Sequence, residues 1–175
     1  MERHKDLARV LALDLHARSF GYVVVEGPSR LLDWGVCSCR RKGRPSDVLI
    51  QRRLRSLLRL WRPSLLVIRS SQQIQPRQKL PREQILKGIV TEARTYRVCI
   101  RLLGLAKERA EKQTKYERAR EVAKRFPVLA ERLPLKRKPW ESEHYSISIF
   151  EALAVALMYS GGASKDKVTS SGTRT

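Results

Sequence analysis

The chain has 175 residues, 42% of them hydrophobic, and a formal net charge of +20 from 37 lysines and arginines against 17 aspartates and glutamates. This length suits one domain, no run approaches the roughly 18 apolar residues of a membrane span, and three cysteines without a CxxC spacing argue against zinc or a disulfide framework. The charge predicts that the partner is nucleic acid rather than a membrane. The lack of a spanning run predicts a soluble, cytoplasmic protein.

The first part of the chain predicts strands, because Val, Leu and Tyr are frequent and the connections are short. Three strands are predicted at 8–14, 20–26 and 31–38. The segment 47–61 predicts an amphipathic, arginine-rich helix that Pro63 ends. The short apolar run 64–68 is typical of a central strand that is covered on both faces.

The second part begins with QQIQPRQKLPRE, which its two prolines predict to be a loop. The elements predicted after it are a helix at 84–95, a strand at 97–103, a basic helix at 115–126 and a nearly all-apolar helix at 145–159. Residues 161–175 lack an apolar period and are predicted to be a disordered tail, which leaves 1–160 as the domain. The order of elements indicates an α/β sheet with mixed strand directions.

Two predicted core elements each carry one acid. Asp14 lies in the apolar run VLALDL, and Glu151 is the single charged residue of the last helix. A buried carboxylate is costly unless it is paired. If the two acids converge, they suit Mg²⁺ or Mn²⁺; alternatively, each pairs with one of the many arginines. The spacing leaves both interpretations open.

Several segments resemble the ribonuclease H-like superfamily, in the form found in RuvC-type Holliday junction resolvases. The similar segments are VLALDLHARSFGYVVVEG with LLDWGV, LAKERAEKQTKYERAREVAKRFP and IFEALAVALMY. The resemblance covers roughly residues 8–160. It implies a five-stranded mixed sheet, with three antiparallel strands and then two parallel ones, flanked by helices. It also implies that Asp14 and Glu151 are catalytic residues and ligands of Mg²⁺ or Mn²⁺.

The chain departs from this family at two expected ligand positions. Arg69 stands where the family has a glutamate at the end of the fourth strand, and Ser148 stands where an acid or histidine precedes the last-helix acid. Arg69 either pairs with the two carboxylates in place of a metal or points to solvent or a phosphate. Three residues are candidates to compensate for the missing ligands: Glu141, Glu143 and His144.

Three basic runs, with few acids to balance them, favour contact with phosphates. The resemblance places five of these residues near nucleic-acid backbone: Lys112, Lys115, Arg118, Lys136 and Lys138.

Two functions are compatible with these observations. The first is a metal-dependent endonuclease that acts on branched DNA such as Holliday junctions, in recombination and repair. Two symmetric cuts need two sites, so a homodimer would fit that activity. The second is a catalytically degenerate module, without a metal cofactor, that binds structured nucleic acid as a subunit of a larger assembly. A nuclease with another substrate on the same scaffold is a further possibility, because the fold does not decide the substrate.

Overall fold

The strands of this protein form one mixed sheet. The computed structural model describes residues 8–16, 19–38, 46–70, 76–104, 114–135, 138 and 144–160. The strands are β1 (Arg9–Leu15), β2 (Ser19–Glu26), β3 (Arg30–Ser38), β4 (Leu65–Ser70) and β5 (Cys99–Gly104), in the spatial order β3-β2-β1-β4-β5. The pairs β1–β2 and β2–β3 are antiparallel, and β1–β4 and β4–β5 are parallel. The predicted strand directions are therefore confirmed.

Helices cover both faces of this sheet. They are α1 (Ser46–Trp61), α2 (Pro76–Thr95), α3 (Lys115–Arg125) and α4 (Ile147–Ser160), with a 3-10 helix at Pro127–Arg132. The helices α1 and α2 pack on one face, and α3, the 3-10 helix and α4 pack on the other. Because β1 lies between the two layers, it is apolar on both sides, which explains its continuous hydrophobic run. None of the helices in the described ranges is long and apolar enough to cross a membrane.

The loop predicted at residues 72–83 is partly wrong. Helix α2 begins at Pro76, eight residues before the predicted start at Gln84. Proline is tolerated at the first position of a helix, where its missing N–H has no intrahelical partner. Pro81 is the sixth residue of the helix and has no N–H to donate to the carbonyl four residues earlier, so one intrahelical hydrogen bond is missing there. The predicted tail, 161–175, lies outside the described residues.

Candidate functional site

The sheet register places three sequence features side by side. Asp14, near the end of β1, pairs with Gly21 on antiparallel β2 and with Arg69 on parallel β4. Residues that pair in register project toward the same face of a sheet. Here that face is the one that α4 covers, because Val10, Ala12 and Val67 of the same alternation belong to the core beneath α4. The acid and the arginine therefore meet in the space between the sheet and α4.

Helix α4 comes very close to the row of paired residues Gly21, Asp14 and Arg69. A Cβ atom added to Gly21 would lie 2.4 Å from Ser148 Oγ, so only glycine fits beneath this turn of the helix. Ser148 donates its hydroxyl to the carbonyl of Tyr145 at 2.7 Å. Glu151 lies three residues later, about one helical turn, and so reaches the same row from above.

A single guanidinium joins the two acids. Arg69 donates from Nη1 to Asp14 Oδ1 at 2.8 Å, and its Nη2 lies 2.7 Å from Glu151 Oε2. All three residues are buried, with exposed fractions of 1% for Asp14, 3% for Glu151 and 4% for Arg69. Of the two interpretations of Arg69, the structure thus shows the one in which it pairs with both carboxylates.

Further basic side chains surround the pair. His16 Nε2 lies 2.9 Å from Asp14 Oδ2, and Arg118 of α3 donates to Glu151 at 3.2 to 3.3 Å. Arg82 of α2 is buried and acts electrostatically on both Asp14 and Arg69. Two carboxylates therefore share their surroundings with three guanidinium groups, and this cluster is not a negative pocket.

The two carboxyl groups differ in their pKa shifts. Burial by itself would raise the pKa of Asp14, but His16 and Arg69 outweigh it and hold this pKa below its ordinary value. For Glu151 burial is the dominant cause and raises the pKa, although Arg69 and Arg118 oppose it. Asp14 is thus the acid whose ionised form the site stabilises more.

Comparison with solved structures shows strong similarity of fold at low sequence identity. Thermus thermophilus RuvC in complex with a Holliday junction substrate matches with a TM-score of 0.65 and 21% identity, over 86% of this chain and 90% of that chain. The chain has a RuvC-type fold. A second Thermus thermophilus RuvC structure gives a TM-score of 0.64 at 20% identity, covering 85% of this chain and 91% of that one.

A more distant structure shares this RuvC-type fold. The fowlpox virus resolvase, in complex with substrate Holliday junction DNA, matches with a TM-score of 0.50 and 8% identity, over 86% of this chain and 97% of that chain. No protein-family model matches the sequence, and the search of curated proteins gives no match either. The structural similarity therefore establishes the fold and leaves the activity to be inferred from the site.

The side chains at this position of the RuvC-type fold do not fit a divalent metal. Among the residues that the structure describes, no group of three or more His, Cys, Asp or Glu could hold a metal ion. The two acids converge as predicted, but the guanidinium of Arg69 bonds to an oxygen of each. A cation between these carboxylates would meet that positive charge at close range.

The other predicted site residues are only partly described. Ser148 packs against Gly21 and donates its hydroxyl to the backbone. Its side chain has no carboxylate, so this position adds no acid to Asp14 and Glu151. His144 is exposed, and its Nδ1 lies 2.7 Å from Ser146 Oγ. Lys115 begins α3, and Lys138 is exposed. Four predicted residues lie outside the described residues: Lys112, Lys136, Glu141 and Glu143.

Three residues of the site were not anticipated in their observed roles. His16 follows Asp14 by two residues, a spacing that would have indicated the same side of an extended chain. Arg118 was predicted to contact phosphate, but it bonds to Glu151; its phosphate-binding role stays a prediction. Arg82 lies in the segment taken for a loop, and no local pattern in the sequence connects it to Asp14.

Proposed function

We propose that this protein binds branched DNA through a RuvC-type domain and does not cut it by metal-dependent catalysis. The observation that carries the proposal is the buried bridge from Asp14 through Arg69 to Glu151. This is the degenerate, nucleic-acid-binding alternative that the sequence left open.

The ion pairs that occupy the two acids support a site that does not cleave DNA. Two-metal phosphodiester cleavage needs carboxylates that are available to divalent ions. Asp14 is already engaged by Arg69 and His16, and Glu151 is engaged by Arg69 and Arg118. To release these acids, the buried Arg69 would have to leave both at once, and the uncompensated charges would cost several kcal/mol.

The binding part of the proposal is supported by charge and by similarity of fold. A net charge of +20 gives the chain strong attraction to phosphates. Two solved structures that share its fold are complexes with Holliday junction DNA. On α1, the exposed Arg52 makes no ion pair within the described part of the chain, so it is available for backbone contacts.

A four-way junction tests both parts of the proposal in one experiment. Wild type and Asp14→Asn are mixed with a labelled junction, and with a linear duplex of equal length, in the presence of Mg²⁺ or Mn²⁺. We expect both proteins to bind the junction at least about tenfold more tightly than the duplex, and neither to cut it. Equal affinity for junction and duplex would contradict the binding part.

A metal-dependent endonuclease remains the second candidate function, because Asp14 and Glu151 do converge on one point as that activity requires. Cutting by wild type that disappears in Asp14→Asn would establish it and overturn the non-cleaving proposal.

The variant Arg69→Glu tests, without an activity assay, whether Arg69 keeps a divalent metal from the two acids. It replaces the bridging cation by a third carboxylate, so Mn²⁺ should raise the melting temperature of this variant but not of wild type. Arg101→Glu makes the same charge change at an exposed position of β5 and should show no such response. Mn²⁺ stabilisation of wild type to the same extent would contradict the proposal.

A further inference from the structure

A pocket of about 490 Å³ opens at the end of the sheet where β4 and β5 begin, opposite the Asp14–Arg69–Glu151 bridge. It is lined by Leu58, Arg59, Arg62, Pro63, Tyr96 and Val98. Two of these residues lie in the last turn of α1, and the other four lie in the segments that connect α1 to β4 and α2 to β5. The bridge lies at the other end of β4, roughly 15 Å away at about 3.3 Å per residue. The pocket is therefore separate from the candidate site.

The lining residues combine apolar, aromatic and cationic groups. Leu58 and Pro63 are buried, and Tyr96 and Val98 are partly exposed. Arg59 and Arg62 are exposed, and neither forms an ion pair within the described ranges. None of the six lining residues is acidic. Its volume falls within the roughly 300–1,000 Å³ of small-molecule pockets, so it has room for a flat ring as well as an anion.

An anion could bind in this pocket only if the two arginines held it, because two helices end there. The helices α1 and α2 both end here, and helix carboxyl ends carry partial negative charge, which repels anions. Any phosphate held at this edge must therefore be held by guanidinium groups. Arg62 takes a left-handed backbone, with φ of 44°, where glycine is the usual residue.

We propose that this pocket binds a nucleoside phosphate, with the base against Tyr96 and the phosphate on Arg59 and Arg62. Bases stack on aromatic side chains regardless of their sequence, and guanidinium groups pair with phosphate oxygens. An inorganic phosphate would leave the ring and the apolar wall unused. The ligand is either an unpaired nucleotide of a DNA strand or a free nucleotide, and its binding does not depend on the state of the Asp14–Arg69–Glu151 bridge.

Photocrosslinking with 5-iodouracil tests the proposal. One arm uses a duplex with an unpaired 5-iodouracil overhang, a second uses free 5-iodo-deoxyuridine monophosphate, and a blunt duplex with the same base paired inside it is the reference. Mass spectrometry locates the attached residue. We expect crosslinking at Tyr96 in at least one of the first two arms and not with the blunt duplex. The overhang arm alone would identify a DNA strand as the source, whereas the free nucleotide would identify a mononucleotide site.

The double variant Arg59→Ala/Arg62→Gly retains Tyr96 and accepts the left-handed backbone. Its crosslinking at Tyr96 should fall at least about tenfold, because two charge-assisted contacts are lost. Arg101→Ala, which removes an exposed arginine of β5 outside the pocket, should leave the yield unchanged. Absence of crosslinks at Tyr96 in both test arms, or an unchanged yield in the double variant, would overturn the proposal. Binding of a four-way junction is measured in parallel, so that failure here is distinguishable from failure of the proposed function.

Discussion

Arg69 is the residue on which the candidate site depends. Its guanidinium contacts two carboxylates that are themselves buried. Removing one partner of a buried ion pair costs about 3–5 kcal/mol, largely because the remaining charges are left uncompensated. The side chain therefore matters for the stability of the fold whether or not it matters for function.

The variant Arg69→Met tests this dependence. We expect it to lower the free energy of unfolding by about 3–5 kcal/mol, measured by urea denaturation. Neutralising all three groups, in Asp14→Asn/Arg69→Met/Glu151→Gln, should restore at least about 2 kcal/mol of this loss. Arg118→Met removes a more exposed partner of Glu151 and should cost only about 1 kcal/mol. Equal losses for Arg69→Met and Arg118→Met would contradict the central role of Arg69.

The dependence of stability on pH should differ between the two acids. The pKa of Asp14 is lowered in the fold, so its contribution to stability is complete above the ordinary value of 3.8 and is lost as the pH falls through the lower folded value. The pKa of Glu151 is raised, so its contribution is present below 4.5 and is lost as the pH rises through the folded value. Urea denaturation from pH 2.5 to 7 should show that Asp14→Asn flattens the acidic limb and Glu151→Gln the limb above pH 4.5. Unaltered limbs in both variants would contradict these shifts.

Much of the site could be predicted from single residues. Asp14 and Glu151 stand out because each is the only acid in an apolar element, and Arg69 stands out because it ends a buried strand. The choice between pairing and solvent exposure for Arg69 could not be made, since it depends on the distance between α4 and the sheet. Arg82 could not be found at all, because only the packing of α2 brings it near Asp14.

At the scale of elements, the end of α2 has an arginine at a position that glycine usually occupies. Arg97 has a φ of 55°, its N–H donates to the carbonyl of Arg94, and the N–H of Val98 donates to the carbonyl of Ala93. This is the Schellman pattern, in which glycine usually occupies the position of Arg97.

The variant Arg97→Gly should therefore stabilise the protein. Relief of the left-handed strain, less the greater freedom of glycine in the unfolded chain, should raise the free energy of unfolding by about 1 kcal/mol. Arg94→Gly, in the last helical turn, should lower it by about 1 kcal/mol. Thermal denaturation of the two variants beside wild type measures both effects, and a loss of stability in Arg97→Gly would show that its side chain contributes more than the strain costs.

The elements themselves were largely predictable, because period and length distinguish the strands from the helices. The strands β1 to β3 and the helix α1 begin within one residue of their predicted starts. The start of α2 was missed because proline in a first turn looks locally like proline in a loop. The 3-10 helix at Pro127–Arg132 was missed as well, since so short an element has no period to detect.

At the scale of the whole molecule, the net charge of +20 should dominate the affinity for DNA. Each phosphate contact releases counterions, so the logarithm of the binding constant should fall linearly with the logarithm of salt concentration. For six or more contacts we expect a loss of at least about 10³-fold between 50 and 200 mM salt. Fluorescence anisotropy with a labelled junction measures this slope, and a nearly flat dependence would exclude the basic surfaces as the main source of affinity.

The close approach of α4 to Gly21 has a consequence for attempts to add an acidic residue to this site. The helix sits so low over β2 that a single added carbon at Gly21 has no space beneath Ser148. An aspartate in place of Ser148 would need two more heavy atoms in the same crowded turn. A fourth acidic ligand therefore requires the helix to lift from the sheet, and that movement would also widen the gap that Arg69 now spans. The acidity of this site is therefore limited by the spacing between the helix and the sheet before it is limited by the choice of side chain.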